Sequence, residues 1–445
     1  MSLVDLERLS RALRESEPLP LQGRVIRATG LMVEASLPRV PLGTACEIRV
    51  SEGHRVAAEV VGFSGASALL MPFGEMQGIC ENCPVVPRES AADVAVGDAM
   101  LGRVVDAGMR PIDGGPAPRL DGKAALHGKP PNAMARRRIA DPMTLGIKSL
   151  DGLLTLGEGQ RLGVLAGPGV GKSVLLGMVA RHALADVIVV ALVGERGREV
   201  REFVERDLGP EGLRRSIVVV ATADEPPLVR VRAAMAATSV AEHFRARGKK
   251  VLLLVDSLSR VCMAQREIGL AAGEPPTAKG YPPSVFALMP RLVERAGNDA
   301  GEGSITALYT VLAEGDDLTD PVVDAAKAIL DGHVVLSRKL AGAGHFPAVD
   351  VLASVSRVMN DIATPQHREL ARRARDILSA YQESADLIEV GAYVAGSNPR
   401  VDHALRTIAA LRAFLQQPPE AHPTLPQTLE LLAAAVAAPP ETSRA

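Results

Sequence analysis

A short glycine-rich segment at residues 166–173 has the residue types that most directly predict a chemistry. Glycines allow backbone N–H groups to curl around an anion, because no side chain stands in the way. The segment lies between a predicted strand and a predicted helix, and helix N-termini attract phosphate. The lysine near its end suits the β- and γ-phosphate oxygens, and the serine that follows suits Mg²⁺. The pattern predicts a P-loop made of Ala166, Gly167, Pro168, Gly169, Val170, Gly171, Lys172 and Ser173, with Ala166 where the strict motif has glycine.

Two acidic positions are candidates to complete such a site. Asp256 follows a run of aliphatic residues, and an acid at a strand end opposite Ser173 would orient Mg²⁺, directly or through water. Glu195 follows another apolar run, at the edge where open α/β sheets bind ligands. We interpret Glu195 as the group that polarises water, with Arg196 holding this carboxylate or a phosphate. The alternative for 195–199 is a solvated charged turn, and the residues alone leave both interpretations open.

The elements that position these residues are predicted from apolar patterns. Short β-rich runs separated by glycine and proline indicate a small barrel or sandwich over residues 22–87. Four continuous apolar runs alternate with helical patterns, which indicates a parallel sheet covered by helices on both faces: 162–166, 187–193, 216–221 and 251–255. The predicted fold class is α/β, in four segments: a terminal helix at 1–21, a β-barrel domain at 22–95, a phosphate-binding α/β domain at 96–365 and a helical domain at 366–445.

Composition limits the class of protein. The 445 residues carry a formal net charge of −2 and only 2% aromatic residues, which argues against a polyanion partner and against base stacking on nucleic acid. The four cysteines are too scattered for a disulfide framework, and no signal-peptide or membrane-span pattern is found, so a cytoplasmic location is expected. Cys80 and Cys83 are half a zinc site and are interpreted as reduced thiols in a turn. The basic run 136–138 is interpreted as a solvated turn.

Several longer segments are specific enough to point to a family. They read ERGREV at 195–200, QREIGLAAGEPPT at 265–277, GYPPSVF at 280–286, DDLTDP at 316–321 and LDGH at 330–333. These segments resemble the export ATPases of type III secretion systems, which include the flagellar export ATPase and its injectisome relatives and are cousins of the rotary ATP synthase β subunit. The resemblance implies a RecA-like central domain, ATP as substrate, Mg²⁺ as cofactor and a homohexamer with ATP between subunits.

The same resemblance implies roles for single residues. Arg357 resembles the arginine finger that reaches the γ-phosphate bound by the neighbouring subunit, a role that suits a fixed positive charge. Phe346 lies where the rotary relatives stack an aromatic ring on adenine, with an ordinary core position as the alternative. The remaining family roles are phosphate binding, Mg²⁺ binding, water activation and the strand-end acid, and they fall on Lys172, Ser173, Glu195 and Asp256.

The partners implied by the family are numerous. They are a stator or regulator protein at the N-terminal helix, a central stalk in the pore, chaperone–substrate complexes and the export apparatus at the cytoplasmic face of the inner membrane, with no nucleic acid. The small-residue stretch 269–283 would line the pore. The terminal helix at 1–21 has a second interpretation, in which it packs on its own domain.

Three other functions compete with export. A rotary synthase β subunit should carry an acidic turn in the helical domain, but 389–397 contains one acid. A Rho-like hexameric RNA helicase needs a basic and aromatic N-terminal fold, and 22–87 offers only Phe63 and Phe73. An inactive ring subunit is disfavoured because Lys172 and Glu195 are both present.

Overall fold

The computed structural model describes residues 22–37, 39–88, 93–313 and 319–437. Its strands are β1 (Gly23–Thr29), β2 (Met32–Ser36), β3 (Ala45–Ser51), β4 (His54–Ser64), β5 (Ser67–Pro72), β6 (Pro84–Pro87), β7 (Asp93–Val96), β8 (Arg103–Asp106), β9 (Gly122–Ala125), β10 (Pro142–Met143), β11 (Leu156–Gly157), β12 (Arg161–Ala166), β13 (Val187–Glu195), β14 (Ser216–Thr222), β15 (Lys250–Asp256), β16 (Gly297–Asn298), β17 (Ser304–Leu312), β18 (Gly332–Leu336) and β19 (Val349–Ser356). The predicted terminal helix at 1–21 lies outside the described residues.

The α-helices follow the same chain order. They are α1 (Lys148–Leu153), α2 (Lys172–His182), α3 (Gly197–Glu202), α4 (Gly209–Arg214), α5 (Pro227–Ala246), α6 (Leu258–Ala271), α7 (Pro283–Val293), α8 (Pro321–Ile329), α9 (Arg338–Gly342), α10 (Met359–Ile362), α11 (Pro365–Glu383), α12 (Ala385–Glu389), α13 (Pro399–Leu415) and α14 (Leu425–Val436). A π-helical turn at Phe203–Leu208 joins α3 to α4. Within the described ranges, no helix combines the length and the apolar character that crossing a membrane requires.

The N-terminal strands form a closed barrel in the order β1-β2-β5-β4-β3-β6. Buried and more exposed residues alternate along them, as in β3, where Cys46 and Ile48 are buried between less buried neighbours. Alternation of this kind gives a barrel one apolar interior, and the predicted β-barrel is confirmed. Cys80 and Cys83 lie in the turn before β6 with their Sγ atoms 3.1 Å apart, and Cys80 is the exposed member of the pair.

A nine-stranded sheet forms the centre of the protein, with its main path in the order β19-β18-β12-β17-β15-β13-β14-β8. The pairs from β18 to β8 are parallel, whereas β19 is antiparallel to β18. The four predicted strands are β12 to β15, and almost all their residues are buried, which confirms the parallel α/β sheet. The carboxyl ends of β12, β13 and β15 meet at one edge, here called the carboxyl edge.

The C-terminal segment is helical, as predicted. Helices α11, α13 and α14 pack on one another and on α1. The face of α11 that packs inward carries small and aliphatic side chains at helical spacing, including Ala371, Ala374 and Ile377. These helices share one hydrophobic core with β12 and α2, so they are fastened to the P-loop side of the sheet. The predicted segment borders fall inside β7 and at the start of α11.

Arginines and acids lie together at the opposite edge of the sheet, here called the amino edge, where β12 and β18 begin. Arg295 is 2% exposed and donates to both carboxylate oxygens of Glu242, at 2.9 and 2.6 Å. The solvated turn predicted at 136–138 is wrong for Arg136, because its guanidinium is largely covered and donates to the Ala296 carbonyl. The members of this amino-edge cluster are ion-paired with one another: Arg136, Arg161, Arg245 and Arg295 with Glu242, Glu294, Asp299 and Asp331.

Candidate active site

The predicted P-loop connects β12 to α2, which places it at the carboxyl edge. Gly169 and Gly171 have φ angles of 77° and 86°, a left-handed conformation that side chains strongly disfavour. Val170 between them is buried and anchors the loop to the core. Lys172 and Ser173 begin α2, so the loop directs backbone N–H groups and the positive helix end to one point. This geometry is that of a phosphate cradle.

Lys172 connects the P-loop to both predicted acids, because its ammonium group contacts the carboxylates of Glu195 and Asp256. Its Nζ lies 2.5 Å from Asp256 Oδ1 and 3.2 Å from Glu195 Oε1. Burial by itself lowers the pKa of Lys172, but the two carboxylates outweigh burial and raise this pKa above its usual value. The lysine is therefore charged, and it occupies the centre of the site.

The two acids differ in their surroundings. Asp256 is 2% exposed, and its Oδ1 also accepts a hydrogen bond of 2.7 Å from the Thr310 hydroxyl. Glu195 ends β13, and burial raises its pKa, with further increase from the neighbouring Asp256 carboxylate and an opposing effect from Lys172. A carboxylate whose pKa is raised towards neutrality accepts a proton more readily from water. The raised pKa fits Glu195 to proton chemistry, whereas Asp256 is held in place by Lys172 and Thr310.

Arg196 is placed differently from the sequence interpretation. Its guanidinium is exposed and lies 3.5 Å from Glu199, and the expected contact with Glu195 is not formed. The reason is the chain direction, since Arg196 leaves the end of β13 and serves as the residue before α3. The structure accordingly brings Lys172, Glu195 and Asp256 together and leaves Arg196 at the surface.

Phe346 lies beside the P-loop and is 45% exposed. A Cβ built on Gly171 would stand 3.3 Å from two carbons of the Phe346 ring, so glycine is required for this close approach. A cavity of about 420 Å³ opens between the ring and α2. Its walls are mostly apolar and come from the P-loop, α2, the Phe346 loop and the C-terminal segment: Gly169, Gly171, Val174, Leu175, Met178, Phe346, Pro347, Gln417 and Pro419. We call this cavity the base pocket.

Arg357 lies at the amino edge, far from the P-loop of its own chain. It directly follows β19, which runs antiparallel to β18, and its backbone N–H donates to the Asp331 carbonyl beside the start of β18. Its exposed guanidinium donates to the Lys327 carbonyl at 3.1 Å. The six residues of β12 separate the two edges, a span of roughly 20 Å. Arg357 is therefore not positioned to serve its own phosphate cradle.

Sequence reasoning missed three residues of this region. Thr310 holds Asp256, but a threonine within an apolar strand carries no motif. Arg260 packs against Gly194, and its buried Nε has no hydrogen-bond partner among the described residues. Gln417 reaches the base pocket from the C-terminal segment, and no motif in the sequence marks it.

Comparison with known proteins agrees with this architecture. The beta-barrel domain of the ATP synthase alpha/beta family matches residues 25–88, and its nucleotide-binding domain matches 146–356. Residues 363–434 match the T3SS EscN ATPase C-terminal domain, which favours the export enzymes over a rotary synthase subunit. A flagellum-specific ATP synthase of Pseudomonas aeruginosa is 52% identical over 93% of this chain and 94% of its own. This chain belongs to the type III secretion and flagellar export ATPase family.

Further relatives of this export ATPase come from both branches of the family. A type 3 secretion system ATPase of Sinorhizobium fredii is 50% identical, covering 89% of this chain and 88% of its own. The structure of assembled EscN from enteropathogenic E. coli, in complex with its central stalk EscO, has a TM-score of 0.86 at 40% identity, covering 93% of this chain and 100% of that one. The predicted ATPase and export function is thus confirmed, and the alternatives of a rotary synthase subunit and an RNA helicase are not favoured.

Proposed function

We propose that this export ATPase hydrolyses ATP in sites shared between neighbouring subunits of a homohexamer. The observation that carries the proposal is the separation of Lys172, Glu195 and Asp256 at the carboxyl edge from the exposed Arg357 at the amino edge. Arg357 can complete a site only on another copy of the chain. A ring that brings one subunit's amino edge to the next subunit's carboxyl edge provides that contact.

Within one subunit, the residues divide the work on the phosphates. Lys172 exchanges its contacts with Glu195 and Asp256 for the β- and γ-phosphate oxygens of ATP. The P-loop N–H groups bind the remaining phosphate oxygens. The exposed Ser173 hydroxyl and the Asp256 carboxylate are oxygen donors of the kind that Mg²⁺ prefers, and they would hold it directly or through water. Mg²⁺ supplies charge neutralisation at the phosphates when it is bound.

Glu195 orients the attacking water and accepts its proton as the bond to the γ-phosphate breaks. Arg357 of the next subunit neutralises the oxygens of the departing phosphoryl group. The exposed Arg196 is free to reach the same interface. Phe346 stacks on the adenine, and the apolar walls of the base pocket cover its other face.

The cellular task follows the family. ATP turnover releases or unfolds chaperone-bound export substrates at the export apparatus on the cytoplasmic face of the inner membrane. A central stalk of the kind named with EscN occupies the pore, and residues 1–21, which the sequence predicts as a helix, dock a stator or regulator protein. The low aromatic content fits a protein partner rather than a nucleic acid.

Mixing two inactive variants tests the shared site. Glu195→Gln keeps Arg357 but lacks the group that activates water, whereas Arg357→Ala keeps Glu195 but lacks the finger. Each variant alone should bind ATP without turnover. In rings assembled from an equal mixture, about a quarter of the interfaces pair an intact Glu195 with an intact Arg357, so up to that fraction of wild-type turnover should return.

The measurement is phosphate release as a function of the mixing ratio, after disassembly and reassembly of the rings. A mixture of Glu195→Gln with Lys172→Met serves as the control, because both changes lie in the same half of the site and no interface is repaired. Absence of recovery at every ratio, or full activity of Arg357→Ala alone, would contradict the shared site.

A further inference from the structure

The segment 416–424 connects α13 to α14 and passes across the base pocket; we call it the connecting segment. Gln417 and Pro419 of this segment form part of the wall of the pocket. The C-terminal helices therefore reach the nucleotide site through a few residues of irregular backbone. The question is what holds that backbone in place.

Gln417 is 4% exposed and makes four hydrogen bonds. Its backbone N–H donates to the Phe346 carbonyl at 2.9 Å. Its side-chain Oε1 accepts from the Lys148 N–H at 2.8 Å, and its Nε2 donates to the carbonyls of Gly146 and Ala421 at 2.8 and 2.6 Å. A single residue thus joins the Phe346 loop, the segment that leads into α1 and the connecting segment itself.

These bonds determine what the side chain can do. An amide has two N–H donors, and both are used on backbone carbonyls, so Gln417 has no donor left to read the edge of a base. Its contribution to the pocket is position rather than recognition. Arg181 of α2 adds a second tie to the same segment, because its guanidinium donates to the Pro419 carbonyl at 3.1 Å.

We propose that Gln417 is a positioning residue that fastens the connecting segment over the base pocket and sets its distance from Phe346. The inference rests on the proposed function, in which this cavity takes the adenine. Because Gln417 lies two residues after the end of α13, ordering of the pocket by a base also orders the end of that helix. Gln417 therefore links occupancy of the nucleotide site to the C-terminal helical domain.

The test compares Gln417→Met with Gln416→Met in the full-length, assembled protein. Methionine fills a similar volume and removes the three side-chain hydrogen bonds while keeping the backbone bond to Phe346. Gln416 is an exposed neighbour whose side chain makes no hydrogen bond within the described residues. Steady-state turnover of Mg²⁺-ATP is measured together with inhibition by inorganic tripolyphosphate, which has the phosphates but no base. We expect Gln417→Met to raise KM for ATP about tenfold, equivalent to ~1.4 kcal/mol, with kcat little changed and tripolyphosphate inhibition unchanged.

Several outcomes would overturn the inference. They are an unchanged KM, an equal weakening of ATP and tripolyphosphate, or the same shift in Gln416→Met. If Gln417→Met does not fold, Gln417→Glu replaces it, since a carboxylate keeps the acceptor for Lys148 and loses both donors. That variant should show the same selective rise in KM for ATP, and a uniform loss would again overturn the inference.

The same measurements separate this inference from the proposed function. Lys172→Met should weaken ATP and tripolyphosphate alike, because it removes a phosphate ligand. If Lys172→Met changes neither, the phosphate site itself is misassigned. If Lys172→Met weakens both ligands but Gln417→Met does not weaken ATP more than tripolyphosphate, only the role of Gln417 is wrong.

Discussion

The two edges of the central sheet both carry clusters of charged residues, but the clusters are balanced differently. At the amino edge, four arginines face four acids in mutual ion pairs. At the carboxyl edge, Lys172 alone faces Glu195 and Asp256. A cluster with matched charges needs no ligand, whereas an excess of acid around one lysine is resolved when a metal and a polyphosphate arrive. Charge balance therefore distinguishes the ion-paired cluster of the amino edge from the Lys172 site of the carboxyl edge.

Among the changes that test this difference between the edges, Lys172→Met should have the largest effect on turnover. We expect turnover to fall on the order of 10³-fold or more, because a charge that stabilises the transferring phosphoryl group is lost. Mg²⁺-ATP should also no longer raise the melting temperature, since ligand stabilises only a protein that binds it. Phosphate release and thermal unfolding with and without Mg²⁺-ATP check both parts. A preserved ligand-induced shift would show that Lys172 is not a phosphate ligand.

Arg295→Met makes the equivalent change at the amino edge and should have the opposite profile. Loss of one partner leaves the Glu242 carboxylate, whose side chain is 16% exposed, without its ion-pair partner, which destabilises folding by up to about 3–5 kcal/mol. The variant should retain turnover per folded molecule and the shift of melting temperature by Mg²⁺-ATP. Chemical denaturation measures the loss, and the double change Arg295→Met with Glu242→Leu should recover much of it. Loss of turnover in a folded Arg295→Met protein would remove the distinction between the two edges.

Glu195→Gln in the nucleotide-free protein gives the smallest effect. Burial and Asp256 raise the pKa of Glu195, so its ionised form destabilises the folded state at any pH above that pKa. Glutamine resembles the protonated acid and should therefore stabilise the protein at neutral pH. The gain should shrink as the pH falls, because wild-type Glu195 then becomes protonated in the folded protein. Unfolding curves at several pH values test this, and a variant less stable than wild type at neutral pH would contradict it.

The sequence was sufficient for much of this architecture, because the relevant signals are local. The P-loop, Glu195 and Asp256 each lie directly after an apolar run, and parallel strands bring such ends together. Strand β17 was not predicted, since its buried threonines interrupt the apolar run. Thr306 accepts a hydrogen bond from the Gly159 N–H and Thr310 donates to Asp256, so the fold satisfies polar groups that the pattern alone suggests are exposed.

The base pocket shows the limit of such reasoning. Gly171 and Gln417 line the same cavity although they are far apart in the sequence. A glutamine or a proline in a sequence does not by itself predict a nucleotide pocket. Gln417 and Pro419 come close to α2 only because the C-terminal helices pack there. The distance of Arg357 from the P-loop of its own chain is similar, because it depends on the antiparallel direction of β19.

The pairing of Lys172 with two carboxylates has a consequence for the end of the catalytic cycle. A phosphate-binding lysine with no alternative partner would hold its products tightly through bare charge attraction. Here the ammonium group has Asp256 and Glu195 within reach at 2.5 and 3.2 Å. Departure of phosphate and ADP is then an exchange of one counterion for another rather than the exposure of an isolated charge. In the proposed cycle, the two acids that act during bond cleavage are also the counterions to which Lys172 returns when the site empties.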